Sequence, residues 1–199
     1  MNILTDKLVG MLIDEEIITS TEKEVYVYGI HQSLIILSNL AITIILGVIS
    51  SMIWESIVFM FAYISIRIYA GGYHAETQLR CYVVSILINI LALIEIKCFL
   101  FNGQWANICL IISQIIIMIL APVEAENKLL TTKEKVIYRK HVYVLVCLYD
   151  GIFLLCKFIG GRETANCIST AMGMAMLMII LGKVKWHKIL KTNNRTKEL

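Results

Sequence analysis

Residues 67–81 read Arg67-Ile68-Tyr69-Ala70-Gly71-Gly72-Tyr73-His74-Ala75-Glu76-Thr77-Gln78-Leu79-Arg80-Cys81. This polar stretch separates two apolar runs, about 51–69 and 81–101. Each run is near the roughly 20 residues a helix needs to cross a bilayer. The pair Gly71-Gly72 favours a break, because glycine tolerates backbone angles that other residues avoid. A helix restarting near Glu76 or Thr77 puts Cys81 close to its first turn. A thiolate there gains from the helix N-terminal dipole and from Arg67 and Arg80 nearby.

Outward from this stretch the apolar pattern repeats. Six runs appear, at about 25–49, 51–69, 81–101, 104–123, 142–159 and 163–182. The second and fifth contain Glu55 and Asp150, so four spans plus two partly embedded helices is the variant of the six-span reading. Hydrophobic residues are 58% of the chain and charged residues 17%, against roughly 25% charged in soluble domains. The mean hydropathy is +0.76. The expected fold is an all-α integral membrane protein of about six transmembrane helices. One proline, no Gly/Ser linker and no internal repeat argue for a single domain over 1–199. Within it, 1–24 reads as an amphipathic surface helix, 25–182 as the transmembrane bundle and 183–199 as a basic cytoplasmic tail. A net charge of +3 gives no reason to expect a nucleic-acid partner.

Basic residues set the orientation. With the N-terminus in the cytoplasm, the external segments hold Lys97, Lys157 and Arg162, and every other Lys and Arg falls on a cytoplasmic segment. This positive-inside bias puts both termini and the 67–81 stretch on the cytoplasmic side. The loop 124–140 follows Ala121-Pro122, and Thr132-Lys133-Glu134-Lys135 opens a short charged helix there. Its lysines fix topology and meet anionic lipid.

Polar groups inside apolar runs each ask for a partner. Asp150 calls for a structural pairing. Gln32 and Asn39 suit interhelical hydrogen bonds, and Gln32 is also a candidate oxyanion donor. Met172, Met174, Met176 and Met178 pack helices. Gly47, Gly173 and Gly182 offer close-packing surfaces, the basis for expecting a homodimer.

The six cysteines form no CxxC pair, which argues against a structural zinc site; no metal or cofactor is expected. Five lie in or beside apolar runs. Cys81 alone follows a polar stretch, with His74 seven residues before it. A cysteine near a histidine is the minimal kit for thiol nucleophilic catalysis. On one straight helix the two sit roughly 10 Å apart along the axis, too far for a hydrogen bond, so the pairing needs the bend that Gly71-Gly72 supplies.

Arg67, Gly72, His74 and Cys81, in this order and spacing, resemble the AgrB family, the membrane peptidases that process the AgrD signal-peptide precursor in Gram-positive quorum sensing. Tyr28-Gly29, and Ala121-Pro122-Val123 running into Asn127-Lys128, resemble further family landmarks, and the layout is similar over nearly the full length. Gln32 matches a polar position more loosely. The resemblance implies a thiol protease in the cell membrane, with an AgrD-like precursor as partner and catalytic residues His74 and Cys81. Cleavage leaves an acyl-enzyme, which a cysteine of the precursor resolves to a cyclic thiolactone. Arg67 and Arg80 then hold acidic residues of the substrate or stabilise the oxyanion. A small polytopic transporter or peptide exporter is the rival reading, and a non-catalytic scaffold a second. A transporter needs polar groups along a path through the bilayer, often in repeated halves, whereas this chain gathers its polar chemistry at one side.

Overall fold

The computed structural model describes residues 3–15, 17–73, 77–97, 103–124 and 130–197. The chain divides into two compact units, residues 1–43 and 44–199. Among the described residues every regular element is helical, and the β-type pairing is a single isolated bridge, Gly71 with Val123.

The first unit holds α1 (Ile3–Asp14), a 3-10 turn (Ser20–Glu22) and most of α2 (Lys23–Ile49). The amphipathic helix expected over 1–24 is therefore shorter. Asp14 and Glu15 explain the early stop: acids at a helix C-terminus oppose its dipole. The chain turns back there, with the amides of Ile17 and Ile18 donating to Leu12 O. At the 3-10 turn, the amide and hydroxyl of Thr19 both donate to the Glu22 carboxylate, which lowers the Glu22 pKa.

The second unit begins at the end of α2 and contains α3 (Ile53–Ala70), α4 (Gln78–Lys97), α5 (Gly103–Leu120), α6 (Thr132–Phe158) and α7 (Arg162–Lys197). Ile53–Ala70, Thr132–Phe158 and Arg162–Ile189 are long and apolar enough to cross a bilayer, and Ile36–Ile49 and Ala106–Leu120 are shorter apolar helices. This is a multi-pass, all-α membrane protein. Large apolar side chains such as Phe61, Ile111, Ile119, Leu154 and Phe158 face outward, where lipid rather than water meets them.

Two elements run longer than the hydropathy runs. The Glu134 carboxylate accepts from the Thr131 amide at 2.8 Å, and the Glu134 amide donates to the Thr131 hydroxyl at 3.3 Å. This reciprocal cap starts α6 ten residues before the fifth apolar run, so the expected short charged helix and that run are one element. Likewise α7 passes residue 182 without a break. Nothing in Lys183–Lys197 stops a helix, and basic residues near a C-terminus suit the dipole. The expected tail is helical as far as Lys197.

α7 is the axis of this unit, packed against α3, α4, α5 and α6. Its side chains are small where neighbours come close: Ala165, Ser169, Thr170, Ala171 and Ala175 are buried, with Met172, Met178 and Ile179 filling between. The methionines pack, as expected. The Ser169 hydroxyl bonds Ala106 O at 2.9 Å. Asp150 pairs with the neutral Gln114, and Lys157 with Asn107. Two of the three glycines read as dimer surfaces are used within the protomer. A Cβ on Gly47 would lie 2.6 Å from Ser56 Oγ, and one on Gly182 2.4 Å from the Gly72 carbonyl carbon.

Within this unit α3 to α7 alternate in direction, so connections gather at two ends. Trp54 Nε1 donates to Thr164 Oγ1 at 3.2 Å, joining the starts of α3 and α7. The other end collects the C-terminus of α3, the α5–α6 link and the Met178–Lys185 segment of α7.

Candidate active site

α3 ends at Ala70 because Gly71 turns into positive φ, +72°, followed by Gly72 at +126°. The Gly71 amide still closes on Arg67 O at 3.1 Å. The turn is then gripped from three sides. Val123 of the α5–α6 link donates to Ala70 O at 2.9 Å, and a Cβ on Gly71 would sit 2.2 Å from Val123 O. The Tyr73 amide donates to Met178 O of α7 at 2.8 Å. Gly182, one turn further along α7, leaves room for the Gly72–Tyr73 backbone.

Arg67 is the third grip. Its two terminal nitrogens donate to Gly71 O at 2.6 Å and Tyr73 O at 3.0 Å, and the guanidinium stands 6.0 Å from the Tyr63 ring centre. The expectation that Arg67 reaches the substrate or an oxyanion therefore changes: its fork is directed into the turn. A planar guanidinium meets two carbonyls at once, which an ammonium does not. Gly72 accommodates it, since a Cβ there would lie 2.1 Å from Arg67 Nη1. Above the turn, Lys185 Nζ lies 5.4 Å from the Tyr73 ring centre.

The chain is thus fixed up to Tyr73, the residue before His74. His74 itself lies outside the described residues, as do Ala75 and Glu76. α4 begins at Gln78 with Thr77 capping it: the Arg80 amide donates to Thr77 Oγ1 at 3.4 Å and the Cys81 amide to Thr77 O at 3.0 Å. Cys81 therefore stands in the first turn of α4, as expected from the restart after the glycines, and is half-buried. Arg80 is exposed on the same first turn. The side chain of Gln32 is not among those described.

The other described cysteines are free. Cys156 and Cys167 are buried, Cys109 is half-buried and Cys147 exposed. Exposure alone does not single out Cys81. Its place on a helix N-terminal turn, at the polar end of the bundle, does.

A second layer holds the α5–α6 link. Arg139 Nε donates to Ala121 O at 3.3 Å, and Lys135 bridges Glu124 at 3.0 Å while Glu124 also accepts from the Leu130 amide. Tyr69 stacks on His141 at 4.7 Å and meets Tyr138 edge-on at 5.9 Å. Sequence reasoning missed Val123, Met178, Gly182 and Lys185 as parts of this site. One signal was available: Gly182 is an isolated glycine inside a helical pattern, which usually marks a close approach.

A family profile described as Accessory gene regulator B matches residues 5–181. The chain belongs to the AgrB family. An AgrB-like protein of Clostridium perfringens strain SM101 is 27% identical over 195 residues, covering 94% of this chain and 89% of that one. A second AgrB-like protein, from Clostridium perfringens strain 13, is 27% identical over 137 residues, covering 65% and 64%. No solved structure matches. The AgrB match includes α3, the glycine turn, the start of α4 and the α5–α6 link, and so most of the elements that meet at this end of the bundle.

Proposed function

We propose that this protein is a membrane-embedded cysteine endopeptidase that cleaves an AgrD-like precursor and promotes its cyclisation. The observation that carries the reading is the gripped glycine turn, held as far as Tyr73, together with Cys81 on the first turn of α4, the helix that begins at Gln78. A nucleophile and its base must be held within a fraction of an ångström of working geometry. Arg67, Val123, Met178 and Gly182 supply that rigidity on the segment leading to His74.

In this mechanism His74 takes the proton of Cys81. The thiolate adds to a peptide carbonyl of the precursor. The tetrahedral adduct collapses, the C–N bond breaks, and imidazolium returns the proton to the departing amine of the C-terminal fragment. The N-terminal part remains as a thioester on Cys81. A cysteine thiol of the precursor then gives its proton to the neutral His74 and adds to that thioester, and Cys81 leaves as thiolate beside the imidazolium. The product is a thiolactone joined to its leader. Forming a thioester from an amide is uphill, so removal of the cleaved fragment drives the sequence. The AgrB family membership and the acid–base logic of a Cys/His pair both support these roles. Arg80, exposed beside Cys81, is the remaining candidate to meet substrate acids. The active site and both termini face the cytoplasm in this reading, in the cell membrane of a Gram-positive bacterium.

The test is a purified, lipid-reconstituted enzyme with a precursor of the AgrD type. Cleavage and a covalent precursor adduct on Cys81 are expected, and both vanish in Cys81→Ala. Cleavage that survives this substitution overturns the proposal.

A further inference from the structure

A groove of about 410 Å³ opens between the C-terminus of α5 and α7, lined by Leu120, Ile180, Lys183, Val184, His187 and Lys188. Leu120, Ile180 and Val184 form its floor with the stems of Lys183, His187 and Lys188, so the wall is almost wholly apolar; three of the six residues are basic and none is acidic. The spacing 180, 183, 184, 187, 188 is one face of a helix. Met178, Gly182 and Lys185, which hold or cover the glycine turn, lie on the opposite face at 100° per residue.

We infer that this groove seats the upper acyl chain of an anionic glycerophospholipid whose headgroup meets Lys183 and Lys188. The position favours lipid over a soluble ligand. The floor continues the outward-facing apolar surface of α5 and α7, where Ile119 and Leu181 are exposed, and the basic groups follow directly at the polar end of the bundle. A lipid places its acyl chain and its phosphate in that same order. Lysines at such a boundary attract anionic headgroups, and each contributes about a fivefold preference over a zwitterionic lipid. Its place back to back with the gripped turn puts a bound lipid one helix diameter from the candidate active site.

Val184 lies on the groove floor and is exposed, so Val184→Trp supplies the probe. Full-length protein carrying it with Trp54→Phe, Trp105→Phe and Trp186→Phe is reconstituted in phosphatidylcholine with a small fraction of acyl-brominated lipid. Brominated phosphatidylglycerol should quench that tryptophan at least about tenfold more effectively, per mole fraction, than brominated phosphatidylcholine. Lys183→Gln with Lys188→Gln should remove most of that preference. The single Lys140→Gln, a lysine outside the groove, should keep it and controls for bulk surface charge. Equal quenching by the two lipids overturns the inference, as does a preference that survives the double substitution. Displacement by a water-soluble glutamate-rich peptide at micromolar concentration also overturns it, assigning the groove to acidic peptide. Because the readout is fluorescence, it stands or falls separately from any peptidase activity.

Discussion

At the scale of single residues, the proposed mechanism divides labour between His74 and Cys81. Cys81→Ser keeps the side-chain size, so the protein should fold and bind precursor while turnover collapses. His74→Ala should also abolish turnover at neutral pH. If His74 serves to generate the thiolate, raising the pH toward about 8.5, where a free thiol ionises, should restore part of the alkylation of Cys81 in that variant. Turnover should recover less, since the imidazolium must also protonate the departing amine. Alkylation that ignores both pH and His74 would count against this assignment. Arg67 has a different test. Arg67→Lys retains the charge but loses the two-pronged grip on Gly71 and Tyr73, so turnover should fall roughly tenfold to a hundredfold. If charge alone mattered, Arg67→Lys would match the parent enzyme. The polar stretch 67–81 made the candidates legible, because cost singles out polar groups in an apolar chain. It did not reveal which way Arg67 points. Its partners include carbonyls of the turn itself, and every residue type carries those.

Among the elements, the glycine turn and α7 behave as one device. Gly182 has no room for a methyl group: its Cβ would lie 2.4 Å from Gly72 C and 2.6 Å from Tyr73 N, both backbone atoms. Gly182→Ala must therefore push the turn away from α7 and weaken the Tyr73–Met178 bond. A displacement near 1 Å at a catalytic segment costs about a hundredfold, so turnover should drop by at least that factor while helical content by circular dichroism stays the same. Gly151→Ala is the control, since nothing lies within 4 Å of a Cβ there. Loss of the Thr131 cap makes a milder case. Thr131→Ala leaves the Glu134 amide of α6 without its cap and should cost about 1 kcal/mol, read as a lowered midpoint of thermal unfolding in detergent. Helix existence was legible from hydropathy, and the break at Gly71-Gly72 from composition. Helix ends were less so. Thr131 and Glu134 fuse a polar segment to an apolar one, and a hydropathy run cannot register a cap. Asp14 and Glu15 shorten α1 through electrostatics at a terminus, where apolar spacing continues past them to Ile17 and Ile18.

For the whole molecule, the central place of α7 was hidden by its own composition. A helix that packs four others needs small residues at its contacts, and Ala165, Ser169, Ala171 and Ala175 supply them, a property that mean hydropathy does not register. Orientation rests on a separate argument. The structure ties the starts of α3 and α7 together through Trp54 and Thr164, and ties α3, α7 and the α5–α6 link together at the opposite end through Tyr73, Met178, Gly71 and Val123. Residues near 50 and 161 therefore share one side, and those near 75 and 130 the other. Charge then decides which side is which. Lys97, Lys157 and Arg162 mark the first, while Arg67, Arg80, Lys133, Lys135, Arg139, Lys183 and Lys185 crowd the second, and on the positive-inside rule we propose that the second faces the cytoplasm. Reporter fusions after residues 50, 102 and 161 should read external, and fusions after 75, 130 and 190 internal. A cytoplasmic signal after 102 breaks the six-span order, because α4 would then return without crossing. Uniform inversion of all six would keep the fold and move the candidate site outside the cell, where a precursor made in the cytoplasm reaches Cys81 only after export.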